Sequence, residues 1–140
     1  MPGFMIKTLE WTAGILASLI VVCLTQAIND HCVAPRQELR SLIRKASYTV
    51  DYYANIIVNP GVCDSDLEKE ASNEIRKVAL ELMAFVATYP KLKYKHLTAQ
   101  DLDSIGPELI RISNTVGVPS AIGTNFRELK EIREKLYGKK

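Results

Sequence analysis

Apolar and polar positions divide the chain into one uncharged apolar run and a longer amphipathic remainder. The run, residues 11–28 (WTAGILASLIVVCLTQAI), leads directly into the polar residues Asn29, Asp30 and His31. As an α-helix with a rise of 1.5 Å per residue it spans about 27 Å, close to the roughly 30 Å hydrocarbon core of a bilayer. It predicts a single transmembrane helix within segment 1–30, ahead of a soluble domain over 31–140.

A cleaved secretory signal is the alternative interpretation of this run. Thr25, Gln26 and Ala27 resemble the residues before a cleavage site, and a cut after Ala27 would release a secreted or periplasmic helical protein. A signal sequence, however, normally begins with a basic region and has a shorter apolar stretch, whereas here Lys7 is offset by Glu10. The length and flanks of the run therefore favour a retained anchor.

Basic residues on the two sides of the run predict its orientation. Arg36, Arg40, Arg44 and Lys45 follow the run, and only Lys7 precedes it. Because Lys and Arg near a span are retained on the cytoplasmic side, we expect the N-terminus outside and the C-terminal domain in the cytoplasm.

Small residues four apart mark a candidate face for self-association of the span. Ala13 and Ala17 form one such pair, and Gly14 and Ser18 form the other. Small residues at this spacing let two helix backbones approach closely within a membrane. The spacing is also common by chance in apolar helices.

Two amphipathic helices are predicted in the first half of the domain. From Pro35, apolar positions recur every three or four residues, as is typical of a packed helix, and Asn59-Pro60-Gly61 ends the pattern. A capping box over 65–68 (SDLE) then predicts a second helix, which Pro90 ends. The expected inward residues are Leu39, Ile43, Ala46, Val50, Tyr53 and Ile57 in the first helix, and Leu67, Ala71, Ile75, Val78, Leu82, Phe85 and Tyr89 in the second, widened by Leu80, Met83 and Val86.

Two further helices follow a basic connector. Residues 98–101 (TAQD) predict a capped helix with a break or kink at Gly106-Pro107, and residues 120–124 read as a loop. Residues 125–128 (NFRE) form a third capping box, opening a helix that Gly138 ends. The expected inward residues are Leu102, Ile105, Leu109, Ile112 and Val116, then Phe126, Leu129, Ile132 and Leu136; the outer face of the last helix carries Arg127, Lys130, Glu131, Glu134 and Lys135 in i,i+4 pairs.

The pattern lacks the sustained two-residue alternation of strands, so the predicted fold is all-α. It comprises an N-terminal single transmembrane helix and a small antiparallel bundle of about four helices, the third broken near Gly106-Pro107. The 18 basic and 16 acidic residues give a net charge of +2. The net charge stays the same when Lys7 and Glu10, which precede the apolar run, are excluded. This balance is too mild to indicate a nucleic-acid partner.

Metal and redox chemistry find little support in the sequence. Neither the histidines nor the cysteines have a short ligand spacing such as CxxC or HxxxH, so no metal site is predicted. Cys32 and Cys63 would pair only if the domain were exported. Cys32 also lies where juxtamembrane cysteines are S-palmitoylated, although an unmodified thiol is the simpler interpretation.

Catalytic groups are equally hard to find. His96, the histidine away from the membrane exit, lies in a lysine-rich connector without a nucleophile or carboxylate at motif spacing. The GxSxG, HExxH, P-loop and GxGxxG patterns are absent from the sequence. We expect no cofactor, and the pattern favours a non-enzymatic role; a small membrane-tethered enzyme with a pocket near Tyr52 or His96 stays an alternative.

Two clusters are candidate contact surfaces. Lys91, Lys93, Tyr94 and Lys95 form the densest basic feature, suited to anionic lipid or a partner if it is more than a solvated loop. Tyr48, Tyr52 and Tyr53 surround Asp51 on the first soluble helix and are expected at the edge of the core, unless rings left exposed provide a partner surface.

Together these patterns predict a single-pass membrane protein. Its cytoplasmic helical domain would act as an interaction, adaptor or assembly module, binding the lipid bilayer and either a protein partner or itself.

Overall fold

The computed structural model describes the backbone of residues 2–138 and the side chains of residue 11 and residues 14–138. The chain divides into two compact units, residues 1–37 and residues 38–140, which are described separately. Throughout residues 2–138 the secondary structure is helical and contains no strand, in agreement with the all-α prediction.

The first unit is built on helix α1 (Pro2–Ile28), followed by a π-helical turn (Asn29–Val33) and the first residues of α2. The side chains described over residues 14–28 are all exposed. A helix in this region is long and apolar enough to cross a membrane by length and composition, and the same properties are found in a signal sequence. The polar residues after the apolar run are thus helical and not an irregular linker.

The second unit packs the remaining helices around one apolar core. Their bounds are α2 (Ala34–Tyr52, from residue 38), α3 (Ala54–Val58), α4 (Ser65–Thr88), α5 (Ala99–Thr115), a 3-10 turn (Pro119–Ala121) and α6 (Ile122–Tyr137). Each helix buries a stripe of side chains at three- and four-residue spacing, which is how an amphipathic helix removes apolar surface from water. The fully buried large side chains include Leu39, Ile57, Ile75, Leu82, Ile105, Ile112 and Ile132.

The first predicted helix is present as two helices, α2 and α3. The break is at Tyr53, whose φ of −93° and ψ of 9° leave the α region. All six residues that the spacing placed inward are nevertheless buried, so the apolar seam continues across the break. Asn59, with φ of −124°, ends α3 beside Pro60 as expected.

Helix α4 begins differently from the prediction. Its N-cap is Asp64, whose carboxylate accepts a hydrogen bond from the Asp66 N–H, so Ser65 is not the cap. The Glu68 carboxylate accepts from the Gly61 N–H at 2.6 Å and not from the Ser65 backbone. The prediction of a capped start was therefore correct in place and wrong in its residues.

The buried face of α4 is narrower than predicted. Ala71, Ile75, Val78, Leu82, Phe85 and Val86 are buried as expected, but Leu67, Leu80, Met83 and Tyr89 are 48%, 54%, 40% and 37% exposed. Leu67 lies in the first turn, ahead of the first buried residue, and Tyr89 is the C-cap outside the helix. Leu80 and Met83 lie on the flank of the stripe, where no neighbouring helix covers them fully.

Helix α5 is continuous, which corrects the predicted break. Its capping box is confirmed: the Thr98 hydroxyl accepts from the Asp101 N–H, and the Asp101 carboxylate accepts from the Thr98 N–H. Pro107 lies inside the helix. A proline inside a helix lacks the N–H donor and crowds the carbonyl four residues earlier, and its ring also crowds the Cβ of the preceding residue. Gly106 has no Cβ, so the last of these clashes is absent here. Leu102, Ile105, Leu109 and Ile112 are buried as predicted, while Val116 is half-buried at the C-cap.

Helix α6 starts at Ile122, within the segment predicted to be a loop, because the 3-10 turn at Pro119 leads straight into it. Asn125 is therefore not an N-cap, and Phe126 is 62% exposed instead of buried. Leu129, Ile132 and Leu136 are buried, and Gly138 ends the helix with φ of 82°. Lys135 reaches α5 and pairs with Glu108, instead of an outer-face neighbour.

Candidate interaction surfaces

Two tyrosines of α2 form an exposed aromatic surface, here called the tyrosine pair (Tyr48 and Tyr52). Their rings stack with centroids 5.7 Å apart and an interplanar angle of 21°. They are 68% and 65% exposed, whereas Tyr53 is 7% exposed. The three tyrosines are close together as predicted, but one faces the core and two face solvent. Stacked exposed rings offer a partner a large apolar area with little side-chain entropy to lose.

Tyr53 links α2 to α4. Its hydroxyl donates a hydrogen bond to Glu70 Oε1 at 3.1 Å. Burial raises the pKa of Tyr53 from 10.0 to about 12, and the Glu70 carboxylate adds to the effect because it favours the protonated hydroxyl. This tyrosine is a structural group joining two helices, in contrast to the tyrosine pair.

A pH-dependent contribution to stability follows from Tyr53. Because its pKa is raised on folding, its contribution is complete below about pH 10 and is lost as the pH rises toward about 12. We expect the free energy of unfolding to fall less over that pH interval in Tyr53→Phe than in the wild-type chain. The measurement is urea denaturation of the full chain in detergent. Tyr48→Phe, at an exposed ring, is the matched control and should leave the fall unchanged; an unaltered slope in Tyr53→Phe would contradict the assignment.

Asp51, predicted among the tyrosines, points to α6. Its carboxylate forms an ion pair with Arg133 Nη2 at 2.7 Å and accepts a hydrogen bond from the Tyr137 hydroxyl. Burial raises the pKa of Tyr137, and the hydrogen bond to Asp51 raises it further. Asp51 therefore ties two helices together and is not available as a binding group for a partner.

The basic connector is an ordered loop, here called the lysine loop (residues 91–97). Lys91, Lys93 and Lys95 are exposed, while Leu92 and Tyr94 are half-buried and pack against the core. A tight turn closes the loop, because Leu97 N–H donates to the Tyr94 carbonyl at 2.8 Å and Tyr94 N–H to the Leu97 carbonyl at 3.3 Å. The predicted contact residues therefore lie together, with their charged ends in solvent.

His96 has a structural partner. Its Nε2 lies 2.7 Å from the Lys135 backbone carbonyl near the end of α6, and Gly138 packs over the ring. An open groove beside it is lined by Asp101, Glu131 and other residues. The carboxylate of Asp101 is occupied by the capping box, where hydrogen bonds from Thr98 lower its pKa. Nothing in this arrangement provides His96 with a nucleophile.

Metal ligands and thiols add no further site. Among the described residues, no group of three or more His, Cys, Asp or Glu is arranged to hold a metal ion. Cys23, Cys32 and Cys63 are free thiols, the first two exposed and the third half-buried. Cys32 and Cys63, the pair that export would permit, are thus not joined by a disulfide in the structure.

The small residues of α1 are only partly described. Ala13 lies outside the described side chains, while Gly14, Ala17 and Ser18 are exposed. No other group lies within 4 Å of where a Cβ of Gly14 would be, and the Ser18 hydroxyl donates to the Gly14 carbonyl at 2.9 Å. This bond satisfies the Ser18 hydroxyl within its own helix, which suits an apolar environment.

A buried polar clamp at Asn125 was missed by the sequence analysis. Its side chain is fully buried and donates to the carbonyls of Ile57 at 3.0 Å and Thr115 at 3.3 Å, while the Thr115 hydroxyl donates back to Asn125 Oδ1 at 2.6 Å. These bonds join the ends of α3 and α5 to the first turn of α6. The partners are 68 and 10 residues away, so no local pattern indicates them.

No protein-family model, no curated protein and no solved structure matches this chain.

Proposed function

We propose that the protein is a single-pass membrane-anchored interaction module, a helical domain on the cytoplasmic face that assembles with a protein partner or with a second copy and has no catalytic activity. The tyrosine pair is the observation that carries this proposal. Aromatic rings exposed by about two thirds are enriched at protein interfaces, where one partner buries them.

The arrangement of the helices supports an antiparallel bundle as the scaffold of that surface. Along α2 and α4, Lys45 pairs with Glu81 and Tyr53 bonds to Glu70, so the residue numbers run in opposite directions. The same reversal holds for three further helix pairs: α4 with α5 (Ser72 to Ser113, Met83 beside Gly106), α5 with α6 (Glu108 to Lys135, Thr115 to Asn125), and α6 with the α2–α3 segment (Arg133 to Asp51, Asn125 to Ile57). A rigid bundle presents side chains in fixed positions, which lowers the entropic cost of binding.

The membrane anchor and its orientation are the second part of the proposal. The apolar residues described in α1 are exposed to solvent, which is unfavourable in water and favourable in lipid. The basic residues after the apolar run favour a cytoplasmic domain by the positive-inside rule. An anchor holds the tyrosine pair near other membrane components and raises their effective concentration.

A photo-crosslinking experiment tests the interaction surface. We expect the full chain carrying a benzophenone amino acid in place of Tyr48 to form a specific covalent adduct in the cells that express it, with the adduct identified by mass spectrometry. Adding Tyr52→Ala should reduce the adduct at least about threefold, because loss of an interface aromatic ring typically costs 1 kcal/mol or more.

Phe126 provides the matched control, since it is 62% exposed on α6 and outside the tyrosine pair. The same crosslinker at Phe126 should not give the Tyr48 adduct. Equal yields of one product from both positions, or no adduct from Tyr48, would reject the tyrosine pair as the interface.

A further inference from the structure

The lysine loop presents charge in a fixed direction. Its three lysines alternate with residues that pack inward, and Leu97, at the end of the loop, is 2% exposed. Lys95 has φ of 50°, a left-handed conformation uncommon for a residue with a side chain, which the turn between Tyr94 and Leu97 holds in place. The Lys95 ammonium lies 5.4 Å from the centre of the Tyr94 ring. A loop anchored in this way keeps all three ammonium groups on its outer side.

The charge of the lysine loop is uncompensated. Across the described side chains, ion pairs occupy Lys45, Lys69, Lys77 and Lys135, but neither Lys91, Lys93 nor Lys95. The nearest carboxylate in sequence, Asp101, is held by Thr98 in the capping box. The loop therefore provides three lysines that are not held in an ion pair, and only Lys95 has a partner, the Tyr94 ring.

The fold places the lysine loop at a particular end of the second unit. Because α2 and α4 run in opposite directions, the end of α4 that leads into the loop lies toward the start of α2. Within the loop, His96 contacts the Lys135 carbonyl of α6, so the loop stays against the helices it follows. The loop thus lies at the end where residue 38 enters the unit. Arg40 and Arg44, both exposed, are on the same part of α2.

This is the end from which the chain continues toward the proposed membrane span. Residue 38 follows the end of the apolar run by about ten residues, so the second unit begins at most roughly 36 Å of extended chain from it. Attraction between lysine and anionic lipid requires approach to within about a Debye length, 8–10 Å. A tether of this length allows the loop to reach the surface but does not press it there, so the charge of the lysines has to hold it.

We propose that the lysine loop docks the domain onto anionic phospholipid in the membrane that holds α1, with Lys91, Lys93 and Lys95 contacting the headgroups. The inference rests on the proposed function, since it needs the anchor. Docking by this loop holds the domain, and with it the tyrosine pair, at the membrane surface.

Lysine footprinting tests the docking. The full chain is reconstituted into vesicles of neutral phosphatidylcholine or of phosphatidylcholine with about 30% phosphatidylserine, and treated with a membrane-impermeant acetylating reagent. We expect Lys91, Lys93 and Lys95 to react at least about threefold more slowly in the anionic vesicles, with the difference abolished in 1 M salt. Lys69, Lys77 and Lys130, exposed elsewhere in the domain, should change little.

Paired variants separate the loop from general charge. In Lys91→Gln/Lys95→Gln we expect the protection of Lys93 to be lost, and in Lys69→Gln/Lys77→Gln, with the same change in charge, we expect it to be kept. The docking is overturned if the three loop lysines react equally fast in the two kinds of vesicle. If they are equally slow in both, so that neutral lipid protects them as well as anionic lipid does, the loop is assigned to protein contact instead. A carbonate wash of the neutral vesicles tests the anchor separately, because release of the chain there would reject the proposed function whatever the lysines do.

Discussion

Asn125→Ala should destabilise the domain by about 2–4 kcal/mol, one of the two largest effects expected from any change in this chain. The substitution leaves the Ile57 carbonyl without the Asn125 donor and opens a cavity where the amide lay. It also removes one of the two donors to the Thr115 carbonyl, which keeps its hydrogen bond from the Val118 N–H. For a domain of this size, a loss of that magnitude lowers the melting temperature by roughly 10–25 °C, measurable by circular dichroism of the full chain in mild detergent.

Two further substitutions define the role of Asn125. Thr115→Val removes the hydroxyl that donates to Asn125 Oδ1 but keeps both backbone acceptors satisfied, so a smaller loss of about 1–2 kcal/mol is expected. Asn114→Ala removes an exposed amide that accepts from Arg76 at 2.8 Å, and should cost less than about 1 kcal/mol. If Asn125→Ala were no more harmful than Asn114→Ala, the clamp would not be holding these helix ends together.

The inward faces of the helices could be predicted from the sequence because helical periodicity is a local property. In α2 and α3 every residue assigned inward is buried, even though the helix breaks at Tyr53. The capping box of Thr98 and Asp101 was equally readable, since both partners lie within one turn. Where the determinants of structure are adjacent in sequence, the pattern is sufficient.

The continuity of α5 at Gly106-Pro107 and the role of Asn125 in α6 depend on distant partners, so the sequence did not reveal them. Gly106-Pro107 favours a break locally, but α5 continues there and lies close against α4. A Cβ on Gly106 would clash with Met83 Cγ. Asn125 resembles an N-cap, yet its amide bonds to α3 and α5 instead of its own helix. Such contacts exist only once the helices have packed.

The interaction surfaces were predictable as clusters but not as geometries. Spacing brought Tyr48, Tyr52 and Tyr53 together, whereas which rings face solvent depends on the position of Glu70 and α4. The lysines of the loop were recognised by composition alone. Their location at the end of the second unit toward the start of α2 required the order of contacts between helices.

Leu19→Arg/Ile20→Arg should abolish membrane integration of the full chain. Both side chains are more than half exposed on α1, and two arginines replacing apolar residues near the middle of a span cost about 6–8 kcal/mol on insertion scales. We expect the wild-type chain to resist carbonate extraction and the variant to appear in the carbonate-soluble fraction. Leu67→Arg/Leu80→Arg, which adds the same charge to exposed positions of α4, should remain in the membrane fraction.

Carbonate resistance alone does not separate the competing accounts of the apolar run, so two measurements accompany it. The mass of the purified chain should include residues 11–28, because a mature N-terminus after Ala27 would mean that the run is a signal sequence. Protease added to intact cells should leave the domain whole and degrade it only after permeabilisation, since Arg36, Arg40 and Arg44 favour a cytoplasmic location. Digestion of the domain on intact cells would show that the domain is outside the cell. The lysine loop would then face the outer leaflet, which contains little anionic lipid in most plasma membranes. The docking of the loop therefore depends on the orientation of the span.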